Sequence, residues 1–164
     1  MEYDLGPLLA GIFSELVDGA TGGNNFVLNG GDPGLLASLD LLSAADASRS
    51  SQQGGTIAAH AEHLRYALSL MNRWAREGGN PFAGARWYEA WETDVVDEVR
   101  WGEIRKGLRQ EAVQWKEALR TPRELPPIVA GGMTGSVVHL AYHMGAMRQI
   151  VASLRGPKDR SKPH

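Results

Sequence analysis

The chain has 164 residues, long enough to bury a sizeable core as one domain, with 22% of them charged and a formal net charge of −2. That balance gives no reason to expect nucleic acid or an anionic membrane surface as a partner. With no cysteine, a disulfide framework, a zinc finger and thiol catalysis by the protein's own side chains are all excluded.

The opening "MEYDLGPLLAGIF" places acids where a secretion signal carries positive charge, and no apolar run approaches the roughly 18 residues of a membrane span. A cytoplasmic chain is expected. Residues 5–19 form a short helix, apolar on one side, followed by a loop rich in Gly and Asn over residues 20–34. Asp32-Pro33 reads as an N-cap with an N1 proline, opening a helix over 34–48 with Leu35, Leu39 and Leu42 on one face. After the polar break "RSSQQGG", residues 56–77 form a strong helix, capped by Thr56 and stopped at Gly78-Gly79. "NPFAGARWYEAW" reads as an irregular aromatic loop, in which Trp87, Tyr88 and Trp91 line a pocket mouth or a dimer contact. A third helix spans 93–120 and ends at "TPRELPP". The last runs from 133 to 155 and stops at Gly156-Pro157. Residues 1–155 make one domain, and 156–164 a mobile charged tail whose His164 is set aside.

Apolar positions step by three and four along these helices. Val137, Leu140, Met144, Met147, Val151 and Leu154 form one seam. A second is Ile57, His60, Leu64, Ala67, Met71 and Trp74, and a third Trp101, Ile104, Leu108, Glu111, Trp115 and Ala118. Such seams belong to helices packed nearly parallel or antiparallel. The expected fold is all-α: a four-helix bundle with an extra short N-terminal helix. Trp74, Trp101 and Trp115 fall on seams as core, whereas Tyr142 faces away.

Four of the five histidines form two helical pairs, His60 with His63 and His139 with His143. At roughly 100° per residue, His139 and His143 lie about 40° apart beside the Leu140–Met144 seam. His60 sits on its own seam, and His63 about 60° to one side. Each inward imidazole needs a partner for its second nitrogen, and a divalent metal meets that need for several at once. There is no His-Glu-x-x-His and no Glu-x-x-His pair, and inward carboxylates are few, so zincin, di-iron, Mg²⁺ and Ca²⁺ sites are disfavoured. Imidazole donors favour Zn²⁺, Ni²⁺ or another late first-row ion. With imidazoles of ordinary pKa, metal affinity is expected to fall below about pH 6.5. Glu111 is the candidate acid/base or second-shell carboxylate, because an unpaired carboxylate on a seam is costly. Bending to solvent, or pairing with an arginine such as Arg65, would also explain it.

The segments "TIAAHAEHL" and "VVHLAYHMGAMRQI" resemble the DinB/YfiT-like superfamily over roughly residues 34–155. That resemblance implies a four-helix bundle holding a metal through one helix-two histidine and a His-x-x-x-His pair in the last helix. Ile57, His63 and Leu64 match the helix-two frame, so the implied ligands are His63, His139 and His143, with His60 as the alternative or a second-shell residue. It further implies a metal-dependent enzyme acting on a small molecule. The type would be a transferase using an external low-molecular-weight thiol, or a hydrolase. The alternative is a non-catalytic bundle that works through association. A homodimer is expected, because Leu5, Leu8, Leu9 and Phe13 on a short extra helix need cover.

Overall fold

The computed structural model describes residues 4–51 and 54–157. Those residues form helices and loops, with one isolated antiparallel bridge between Ser50 and Thr56. The helices are α1 (Leu5–Asp18), α2 (Gly34–Asp40), α3 (Ala44–Ala47), α4 (Ile57–Glu77), α5 (Trp87–Trp91), α6 (Glu98–Arg120) and α7 (Pro127–Ile150). A 3-10 turn at Ala152–Leu154 closes the described chain.

The long helices α1, α4, α6 and α7 contact one another in a ring: α4 meets α6 and α7, and α1 meets the same two from the other side. The N-terminal helix is therefore one of the four long elements, not an addition to them. Leu9 and Phe13, expected to need cover from a second chain, are buried inside this one, and of that set only Leu8 is exposed. The expected helix over 34–48 is in fact two short pieces. The chain turns at Leu41–Ser43, where Ser43 caps α3 by accepting the Asp46 N–H, so α2 and α3 pack as connectors. Ser and Asp compete for backbone donors in this way and favour caps over helix interiors.

Boundaries elsewhere follow caps. Thr56 caps α4 by accepting the Ala59 N–H at 3.1 Å, as expected. For α6 the cap is Asp97, accepting the Arg100 N–H at 2.8 Å, which moves its start from the expected 93 to Glu98. The last helix begins six residues before the expected 133, because Pro127 occupies its first position, where the missing N–H costs nothing. It ends at Ile150, and the Arg148 carbonyl accepts the Arg155 Nε–H at 3.2 Å instead of a helical N–H. The aromatic stretch read as irregular contains α5, five residues long. The expected tail from 156 is anchored at its start, since Asn29 Nδ2 donates to the Pro157 carbonyl at 2.8 Å. The remainder of that tail, residues 158–164 with His164, lies outside the described residues.

One contiguous apolar core fills the ring, with Phe13, Leu16, Trp101, Ile104, Leu108 and Trp115 fully buried in it. Trp101 Nε1–H donates to the Leu42 carbonyl and Trp115 Nε1–H to Ser136 Oγ, so both indoles are satisfied. Trp74, expected in the core, is half-buried with the Arg123 guanidinium 5.2 Å above its ring. The loop after α1 is held by a buried carboxylate. Glu15 accepts N–H groups from Phe26 and Val27 at 2.8 Å each and from Leu28 at 2.5 Å. Burial pushes that carboxyl up, but the three donors outweigh it and hold it below its ordinary range. Gly19 and Gly34, both at positive φ, touch back to back where the loop closes, and a Cβ on either would collide with the other strand's backbone.

Candidate metal centre

His60 and His63 stand one turn apart on α4, and His139 and His143 one turn apart on α7, so the packing of these two helices brings all four together. His139 Nε2 lies 3.1 Å from His63 Nε2 and 2.9 Å from His143 Nε2. Donor atoms of His63, His139 and His143 all fall within 4.8 Å of one another. His60 stands apart from this set. Its Nδ1 meets His143 Nδ1 at 2.8 Å, on the far side of the His143 ring.

These contacts do not balance as hydrogen bonds. A neutral imidazole nitrogen carries either one N–H or one in-plane lone pair. His139 Nε2 faces two other nitrogens, so it can form one well-made hydrogen bond and not two. Protonation would supply the missing hydrogen, but the site opposes it. Burial, then the neighbouring His139, His63 and His60, push His143 down to about 3. Burial, then His139 and His60, bring His63 to about 4. Burial also lowers His60 and His139. Neutral imidazoles with converging lone pairs are what a late first-row cation requires. A tetrahedral ion at 2.0–2.1 Å sets its nitrogens about 3.3 Å apart, close to the 3.1 Å and 2.9 Å that separate His139 from its two neighbours.

The surroundings sort the remaining candidates. If His143 binds through Nε2, its Nδ1–H donates to His60 Nδ1, the second-shell acceptor that a ligating imidazole ordinarily has. His63 lacks such a partner among the described residues: its Nδ1 is buried without a hydrogen bond. Its ring is held instead by the Trp91 indole, stacked at 4.7 Å and 29°. Trp91 also meets His60 edge-on at 5.2 Å, so α5 roofs both α4 histidines. Gly55 makes room for that indole, since a Cβ there would come within 2.8 Å of it. Of the two roles open to the aromatic loop, Trp87 takes the pocket wall, while Tyr88 points outward. Tyr142 is exposed, as its helical angle implied.

Glu111 is not brought to the histidines. Its Oε2 accepts from Asn72 Nδ2 at 2.7 Å, tying α6 to α4, and its charge helps to raise the pKa of Arg65. Glu62, although adjacent to His63 in sequence, is paired with Arg65 at 2.6 Å and Arg100 at 3.3 Å. Among the described residues, the lining beside the metal candidates therefore holds no carboxylate. Sequence reasoning named Trp87 and Trp91 as a pocket mouth or dimer contact but not the short helix that carries them or the stacking of Trp91 on His63.

A cavity of about 420 Å³ opens beside His63 and His139, walled by Leu64, Leu68, Met71, Phe82 and Trp87. No helix among the described residues is long and apolar enough to cross a membrane. No family model, no curated protein and no solved structure matches this chain.

Proposed function

We propose that this chain is a DinB-like, metal-dependent enzyme acting on a small molecule, built as a four-helix bundle of α1, α4, α6 and α7. Its ligands are His63, His139 and His143, with Zn²⁺ or Ni²⁺ as the ion. The observation that carries the reading is the set of three imidazole nitrogens that converge within 4.8 Å yet cannot satisfy one another. A bound divalent ion there supplies a Lewis acid that lowers the pKa of a water or thiol meeting it.

Three protein ligands leave a coordination position open. His60 is not among the converging donors, and its Nδ1 meets His143 Nδ1 instead. This favours an enzyme over a purely structural or associating bundle. The residues of the chain then bind and orient: Trp91 fixes the His63 ring, His60 fixes His143, and the apolar wall of Leu64, Leu68 and Met71 excludes water. Among the described residues the lining offers no carboxylate to act as a general base. A nucleophile acidic enough to ionise without one, an external low-molecular-weight thiol, suits the site better than hydrolytic water. The transferase reading therefore precedes the hydrolase reading.

The test is cobalt substitution of tag-free protein after elemental analysis. The expected result is one ion per chain, visible bands of tetrahedral Co²⁺, and a new sulfur-to-cobalt band on adding a small thiol. A cobalt spectrum indifferent to thiols would mean a closed centre and return the protein to the non-catalytic reading. A homodimer belongs to the same proposal. Its support is no longer α1 but α7, which carries no Asp, Glu, Lys or Arg before Arg148 and exposes Ile128, Val138 and Tyr142.

A further inference from the structure

A second cavity, of about 550 Å³, continues from the first and is lined by Trp74, Pro81, Ile128, Val129 and Gly131 among others. The two share Met71, Phe82 and Gly132, so they meet there. From His63 to Trp74 is eleven residues of α4, about 16 Å of helix. Both volumes are of the size that holds small organic ligands.

No charged side chain among the described residues lines either cavity. Few polar groups do, and two of them are engaged. The Ser136 hydroxyl donates to the Met133 carbonyl and accepts from Trp115, and Asn80 Oδ1 accepts the Phe82 N–H. A charged or hydroxyl-rich ligand body would give up hydration there and gain little in return. At one end only, His63 and His139 present ring nitrogens. The α7 wall is open because Gly131, Gly132 and Gly135 have no side chains. A Cβ at 131 or 135 would meet nothing within 4 Å, and at 132 only Met71 Cε at 3.9 Å. No packing contact requires glycine at these helical positions, where it is the poorest residue after proline. What the three glycines leave is the groove.

We propose that the two cavities form one groove, which takes an organic molecule with an extended apolar body and a single metal-ligating end group at the histidines. The polar end rests on the metal reading above; the apolar body rests on the shape and lining of the groove alone. The substrate class is thus a long-chain or fused-ring carbon skeleton with one oxygen, nitrogen or sulfur terminus, and not a sugar, nucleotide or polyanion.

Two probes separate the parts. Straight-chain hydroxamates of two to ten carbons are titrated calorimetrically into the zinc-loaded protein. The neutral fluorophore N-phenyl-1-naphthylamine is titrated into the metal-free protein. Affinity for the hydroxamates should rise by up to about fourfold per methylene, the effect of burying one such group. Gly135→Leu, which fills the groove without a clash, should flatten that rise and weaken naphthylamine binding more than tenfold. It should leave acetohydroxamate binding unchanged and the melting temperature equal or higher. Thr134→Leu, beside it on α7 but outside the groove lining, should alter neither probe. Equal affinity for two- and ten-carbon hydroxamates, or naphthylamine binding indifferent to Gly135→Leu, would overturn the groove. Zinc failing to bind would overturn the polar end together with the metal reading, and the naphthylamine arm would still decide the groove. A fluorescence response that vanishes at concentrations where the chain sediments as a dimer would overturn the proposal in favour of a second copy as the occupant.

Discussion

At the scale of single residues, His143 shows the logic of the site, since both of its ring nitrogens face other imidazoles. The two contacts are not equivalent in what they should cost to lose. His60→Ala removes the acceptor behind a ligand and should weaken metal binding by about 10–100-fold while retaining it. His63→Ala, His139→Ala and His143→Ala should each abolish binding. In wild type, metal at a hundredfold excess over its dissociation constant should add about 2.7 kcal/mol of stability. For a chain of this size that is a melting shift of about 5–10 °C, reversed by chelator and absent from the three ligand variants. Acid has its own effect on the metal-free protein. The imidazoles titrate near 6.5 when unfolded, but His63 is held to about 4 and His143 to about 3 in the fold. Between those values the unfolded chain binds more protons, so stability is fully present above about 6.5 and declines as pH falls toward 4. Melting temperature against pH should show this decline, and the double variant His63→Ala, His143→Ala should show a shallower one. These shifts also bear on metal binding: His63 and His143 are neutral well below pH 6.5 and burial lowers His139 as well, so zinc affinity of the folded protein should begin to fall at a lower pH than ordinary imidazoles would give.

At the scale of elements, the carboxylate of Glu15 organises the loop after α1 through three backbone donors. Glu15→Ala leaves them unpaired, with Leu28 the most deeply buried, and should cost about 2–3 kcal/mol in denaturant unfolding. Glu15→Gln should lie between, since an amide oxygen still accepts. Because the fold lowers this carboxyl's pKa, its contribution is present above the unfolded value and is lost as pH falls through the folded one. Which elements could be read in advance follows from their physics. The α4 and α6 seams were legible because Ile57, Leu64, Ile104 and Leu108 are buried at helical period. The start of α7 was not, because Pro127 reads equally as a stop and as a first residue, and Gly131-Gly132 reads as a break. The split of residues 34–48 turned on Ser43 capping α3, a local bond that hydrophobic spacing does not register. Within the site, the histidine pairs were legible from spacing alone. The Trp87–Trp91 roof was legible only as a pocket mouth or dimer contact, because a five-residue helix carries no period to show that Trp91 stacks on His63.

At the scale of the molecule, the ring of four long helices leaves α7 with an outward face free of charge over most of its length. Val138 and Tyr142, one turn apart and exposed, are its largest apolar features near the histidines. A symmetric pairing of two such faces would cover both at once. Sedimentation at micromolar concentration should therefore show a dimer, and Val138→Lys should shift it to monomer with little change in melting temperature. A wild-type monomer at that concentration would remove the dimer from the proposal without touching the metal centre.

The histidines that meet are 76 positions apart, His63 early and His139 late in the chain. Synthesis therefore delivers the first donor several seconds before the last, at 5–20 residues per second. During that interval no fragment holds more than the α4 pair. On the proposed three-histidine centre an ion would be fully ligated only once α7 has docked on α4, so its occupancy would report that these two helices had assembled. Stalled or clipped chains ending before residue 139 would stay metal-free at any supply of zinc. Loading of the proposed centre would thus be a second step, after the two histidine-bearing helices have met.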